Sequence, residues 1–221
     1  MPASNPLAPP DRRQRRSAEL RTRLFHAALD LFAKKGFAET TVEDITSAAD
    51  VGKGTFFNYF PSKDHLLIAF GDMQLEKLQA LVAEAAETNA SLPAFFRTLG
   101  VRMTEEPARN PSIVRALLQG NLSSSPVREA MRKNHLRGQA LLSRLIKLSQ
   151  ERGEGRAELR PEEIAEVFRQ TIFGTLLIWS VTGEGSLPAR IHTAFDLLWN
   201  GIAPRSANGS AGGITPDAHS S

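Results

Sequence analysis

The sequence predicts an all-α protein, and three features carry that reading. Apolar residues recur at three- and four-residue steps through most of the chain. Proline stands at or just before most of the points where that pattern begins, where its missing N–H removes no helical bond. No stretch keeps the two-residue alternation, rich in β-branched side chains, that a strand requires. About nine helices result.

The first helix runs from about Ser17 to Lys35, with Leu20, Leu24, Ala27, Ala28, Leu31 and Phe32 on one stripe. Lys34 and Lys35 complement the negative end of its dipole, and Gly36 supplies the left-handed residue that closes it. A second helix follows Thr41, a hydroxyl N-cap with Asp44 as its capping-box partner, and ends near Ala49. After the turn Asp50–Val51–Gly52, a third helix spans about Lys53–Phe60 and stops at Pro61. Ser62 is the expected cap of a long fourth helix, about Lys63–Glu87. Five more follow: Leu92–Glu106 after Ser91, Ser112–Gly120 after Pro111, Val127–Arg152 after Pro126, Glu162–Val181 after Pro161, and Ala189–Trp199 after Pro188.

The organisation this implies is a flexible basic arm (1–16), a helix-turn-helix unit (17–63), a larger helical unit (64–203) and a disordered tail (204–221) rich in Ser, Ala and Gly. The chain of 221 residues is long enough to bury a core without staples and has no cysteine, which excludes disulfides, thiolate catalysis and iron–sulfur clusters. Its longest internal uncharged run, Gln170–Gly183, is shorter than a membrane span needs, so no membrane association is expected and a soluble, cytoplasmic location is. No H-E-x-x-H, G-x-S-x-G or phosphate-loop motif occurs, and the histidines lack metal-ligand spacing. No catalysis, cofactor or metal is therefore expected.

The net charge of +3 is concentrated in residues 1–63; the rest is neutral. Six arginines against one acid lie within residues 12–23. A basic end on a neutral body points to a polyanion for that end, or to a solvated tail; composition leaves both open.

The segment TTVEDITSAADVGKGTFFNYFPSK, Thr40–Lys63, carries the chemistry. Two short helices and a tight turn make a helix-turn-helix, with Ile45, Ala48 and Ala49 at the crossing and Val51 plugging the turn. The third helix offers Lys53 to a phosphate or a guanine edge, Asn58 to adenine, and Thr55 to a phosphate or a thymine methyl. Tyr59 offers a hydroxyl to the backbone, and Lys63 with the amides opening the fourth helix offers a second anion site. Gly52 and Gly54 leave the front of the helix free of bulk. Spacing alone also permits a helix-turn-helix that is only a packing corner.

The run AALDLFAKKGFAETTVEDITSAADVGKGTFFNYFPSKDHLL, Ala27–Leu67, and above all GKGTFFNYFPSK, Gly52–Lys63, resembles the DNA-binding domain of the TetR family of transcriptional regulators. The resemblance covers about the first third of the chain, Ala18–Phe70. It implies that Thr41 contacts phosphate, that Lys53, Gly54, Thr55, Phe57 and Asn58 face the groove, and that Tyr59 and Lys63 clamp the backbone. Two residues depart from the pattern. Phe57 stands where tyrosine is common, so thymine-methyl or sugar packing replaces a hydroxyl contact. Asp50 stands where glycine is common, and aspartate tolerates the left-handed geometry.

For the body, Phe168, Ile172, Thr175, Leu176 and Trp179 line one helix and Phe195, Leu198 and Trp199 the next. They form either an intrachain core or a dimer interface. The resemblance implies the latter: a four-helix bundle across a two-fold axis, giving a homodimer on a palindromic double-stranded DNA operator. It also implies a small-molecule effector in the body. Phe96, Met103 and Trp179 are candidate lining residues, with His135 and Gln170 as polar anchors. The fourth helix would then couple effector to DNA. The function expected is a ligand-responsive, sequence-specific repressor; the alternative is a constitutive DNA-organising or protein-recruiting factor. A cavity of several hundred Å³ would favour the first, a filled core with an exposed apolar patch the second.

Overall fold

A computed structural model describes residues 12–203; the first part of the basic arm and the tail from residue 204 lie outside the described residues. Among the described residues the fold is all-α, as expected, with nine α-helices: α1 (Arg12–Lys35), α2 (Val42–Ala48), α3 (Lys53–Tyr59), α4 (Asp64–Thr88), α5 (Leu92–Thr104), α6 (Pro111–Ser123), α7 (Ser125–Glu151), α8 (Pro161–Thr182) and α9 (Leu187–Ile202). One 3₁₀ turn, Pro107–Arg109, was not foreseen.

The first helix starts five residues before the predicted Ser17, so Arg12, Arg13, Arg15 and Arg16 are helical rather than part of a flexible arm. Arginine is a good helix former, and once the apolar stripe has nucleated the helix each further residue adds a bond. At its other end Gly36 is left-handed, φ +86°, as the sequence implied. The predicted Ser62 cap is not formed. Lys63 is the N-cap of α4 with a helical backbone already, and Ser62 Oγ instead lies 2.9 Å from His65 Nδ1.

Three apolar clusters build the interior. The first joins Leu24, Ala28 and Phe32 of α1 to Ile45, Phe56, Phe60, Leu66 and Leu67. Ile113, Ala116 and Leu117 of α6 and Val127 of α7 complete it, so the core of the helix-turn-helix head does not close at residue 63. Gly120 of α6 marks the tightest approach: a Cβ there would fall 2.3 Å from Leu67 Cδ1 and 3.3 Å from the Phe37 ring. The second cluster gathers Phe95, Phe96, Phe168 and Phe195 with aliphatic residues of α4, α5 and α7; Phe96 lies 4.0 Å, centroid to centroid, from Phe168. In the third, Trp179 packs with Val114, Leu187 and Ile191 and donates its indole N–H to the Gly185 carbonyl at 3.0 Å.

By length and hydropathy α8 alone among the described helices would suffice to cross a membrane. One side of it packs against α6, α7 and α9. Its phase corrects the expected interface. Phe168, Trp179 and Phe195 are 3%, 4% and 2% exposed and belong to the intrachain core, with Ile172, Leu198 and Trp199 packed partly buried beside them. Val167, Phe173, Leu177, Ile178 and Val181 of α8 and Leu197 of α9 face outward. Thr175 borders a shallow groove between these helices and donates its hydroxyl to the Thr171 carbonyl. The 172–179 stretch is apolar on both sides, so one face fills the chain's own core and leaves the other bare.

Candidate nucleic-acid interface

The local chain chemistry fixes the α2–turn–α3 geometry. Thr41 accepts the Asp44 N–H at 3.1 Å and donates its own hydroxyl to Asp44 Oδ2 at 2.6 Å, while the Thr41 N–H reaches the same oxygen at 2.7 Å. The capping box inferred from sequence is present. Lys35 bonds that carboxylate too; Lys35 first and Thr41 second hold Asp44 well below the usual carboxylate range. The Thr41 hydroxyl proton is thus committed to the cap. In the turn, Asp50 takes the left-handed region, φ +51°, and the Val51 N–H donates to the Thr46 carbonyl at 3.0 Å. Ile45 and Ala49 are buried at the crossing and Val51 packs beside them; Ala48, expected there, faces solvent.

Phe56, fully buried, anchors α3 and turns the rest of it outward. Lys53, Gly54, Phe57 and Asn58 are exposed, with Thr55 and Tyr59 half-buried. The structure brings these expected groove residues onto two turns of one helix. Phe57, 51% exposed, is a large aromatic left in water, held edge-on against Phe56 at 5.4 Å. Lys53 is paired with Glu43 of α2, a contact the sequence reading missed.

Lys63 is a correction. Its ammonium donates to the carbonyls of Phe37, Ala38 and Thr40 at 2.6, 3.2 and 2.8 Å, and lies 4.4 Å from the Phe37 ring centre. All three N–H donors are used within the chain, so Lys63 fastens the loop after α1 to the start of α4 instead of standing free as a phosphate clamp. Burial lowers its pKa from the ordinary lysine value. Tyr59 sits differently: it lines a recess with Arg12, Arg13, Arg16 and Arg23 of α1. The helical extension of α1 therefore sets a row of guanidinium-bearing residues beside the end of α3, a grouping of the kind that follows phosphates.

A cavity of about 200 Å³ lies in the body, lined from α4, α5, α7 and α8. It is smaller than the several hundred Å³ foreseen. Met103 and His135 line it, as expected. Phe96 lies buried in the aromatic layer, Trp179 belongs to another cluster, and exposed Gln170 bonds Glu166. Gly71, Gln74, Leu75 and Leu78 of α4 reach the cavity, while Leu66 and Leu67 of the same helix sit in the core of the helix-turn-helix head.

Residues 24–70 match the family model of bacterial regulatory proteins of the tetR family. The repressor KstR2 of Rhodococcus jostii is 37% identical over 82 residues, 35% of this chain and 40% of that protein. Among the first curated relatives the chain covers less than half of each protein's length. The Thermus thermophilus FadR repressor, a TetR-family protein solved with lauroyl-CoA, is 29% identical, superposes with a TM-score of 0.60, and is matched over 87% of this chain and all of that one. Bacillus subtilis FadR, solved with stearoyl-CoA, shares the fold at a TM-score of 0.70 and 19% identity over 82% of this chain and 98% of that one. From α1 into the first turns of α4, this chain is thus similar to the tetR family of bacterial regulatory proteins.

Proposed function

We propose that the chain is a sequence-specific, ligand-responsive transcriptional repressor that works as a homodimer on operator DNA in the cytoplasm. One observation carries it: α3 presents Lys53, Gly54, Phe57 and Asn58 to solvent from a frame locked by a capping box and a buried phenylalanine. Such a helix fits the major groove, with Lys53 toward a guanine edge or phosphate and Asn58 toward adenine. Thr55 and Tyr59 would touch the backbone, and the α1 arginines would add phosphate contacts.

The outward apolar strip of Ile178, Val181 and Leu197 supports a second copy seated on α8 and α9. Pairing of that kind would set two α3 helices on half-sites about 34 Å apart. The body's cavity supports an effector, as do the two acyl-CoA-bound neighbours. α4 touches both cavity and head, so a ligand that shifts it would change the separation of the two α3 helices. Coupling of about 1–3 kcal/mol is typical of such linkage.

Selection of bound duplexes from a random pool tests this reading. An inverted repeat should emerge, and Lys53→Ala should bind it about tenfold more weakly with an unchanged melting temperature. A pool that fails to enrich, or an affinity that Lys53→Ala leaves intact, would overturn it.

A further inference from the structure

We propose that the body cavity takes a small uncharged molecule, a monocyclic phenol or an alcohol of similar bulk, whose hydroxyl donates to Gln74 and accepts from Arg169. This rests on the ligand-responsive reading above and gives it a chemical class.

Size comes first. Apolar cavities of about 150 Å³ hold benzene, and drug-sized ligands occupy about 300–1,000 Å³. At about 200 Å³ the cavity suits one ring with a substituent and is too small to enclose a long acyl chain. The wall is next. Leu75, Leu78, Leu99, Leu142, Phe168 and Ile172 give it an apolar surface that rewards a hydrocarbon body.

The head group follows from two polar atoms. Gln74 and Arg169 both line the cavity, and Gln74 Oε1 and Arg169 Nε are buried without a hydrogen-bond partner. Gln74 already spends its amide on the Met103 carbonyl at 3.4 Å, and Arg169 spends Nη2 on Glu166 at 2.9 Å. One free acceptor and one free donor remain. A hydroxyl is the smallest group that answers both. A carboxylate has no proton for Gln74, and Glu166, which also faces His135 at 3.7 Å, already offsets the Arg169 charge. A bare hydrocarbon would leave both atoms unanswered.

Calorimetric titration of the full chain with 4-methylphenol, toluene, hexanoate and lauroyl-CoA tests the class. We expect 4-methylphenol to bind about five- to tenfold tighter than toluene, hexanoate no tighter than toluene, and lauroyl-CoA not at all. Gln74→Leu should lower the phenol-to-toluene ratio to about two or less, the Arg169 bond alone remaining, while toluene still binds, which a merely unfolded variant would not do. Met103→Phe, which fills the space, should weaken both. Equal affinity for phenol and toluene, preference for hexanoate or lauroyl-CoA, or no binding by any of the four would overturn the proposal. Binding of lauroyl-CoA with release of the selected duplex would leave the repressor reading standing and remove only this class. Binding of the phenol with the duplex still held would do the reverse.

Discussion

The helix-turn-helix head and the body treat their polar groups in opposite ways. In the head, Lys63 gives every N–H to a carbonyl, and Thr41 and Asp44 satisfy each other twice over. In the body, Gln74, Ser143, Arg169 and His192 each keep a buried side-chain nitrogen or oxygen without a partner, and these are all such side-chain atoms among the described residues. A site that presents side chains to a rigid external partner benefits from bonds already made, because nothing then has to be ordered on contact. A site that must respond to an incoming molecule benefits from bonds left to make. On the proposed reading, Gln74 and Arg169, the two of these that line the cavity, mark where the body responds.

The largest expected effect tests the body's core apart from its cavity. Phe96→Ala removes a ring packed on Phe168 and Phe195, and should cost about 3–5 kcal/mol, read as a fall in the thermal midpoint. A loss under about 1 kcal/mol would mean that the aromatic layer is as loosely filled as the cavity. Next comes Lys63→Met, which leaves three carbonyls without their cation and should cost about 2–3 kcal/mol. An unchanged midpoint with weakened DNA binding would restore Lys63 to the role of phosphate clamp and break the comparison at its clearest point.

The smallest effect is one of pH. Asp44, held down first by Lys35 and then by Thr41, contributes stability that is fully present above the ordinary aspartate value of 3.8. That contribution is lost as pH falls below this value toward the lower folded-state pKa. The thermal midpoint of the wild type should therefore drop more steeply below about pH 4 than that of Asp44→Asn. Parallel acid limbs would show that the capping box contributes nothing through its charge.

How much could be read beforehand depended on the range of the contact. Gly36, the Thr41 cap and the left-handed Asp50 were legible because each answers to backbone geometry within a few residues. The residues that α3 turns outward were named for the same reason, but Phe56, the buried anchor that turns them, was not foreseen. Lys63 was not: its acceptors lie 23 to 26 residues away, and a lysine in a basic signature invites a phosphate. The outward face of α8 was missed because apolar residues all round the helix carry no phase; only its neighbours choose which side is covered. The early start of α1 was hidden by its arginines, which look like a tail until the helix behind them propagates. Of the cavity, Met103 and His135 were found, but Gln74 and Arg169, which define its chemistry, gave no local signal.

The seam between α6 and the head bears on transplantation. A fragment cut after residue 70 would expose the side of Leu67 and Phe37 that Gly120 now touches, and would lose Ile113, Ala116 and Leu117 from its interior. Chimeras that graft this head onto a foreign body would have to bring α6 along, or supply a replacement helix with an equally small residue at the crossing. On the proposed reading, specificity for DNA is thus not a detachable cassette here; it is inherited together with a strip of the sensor.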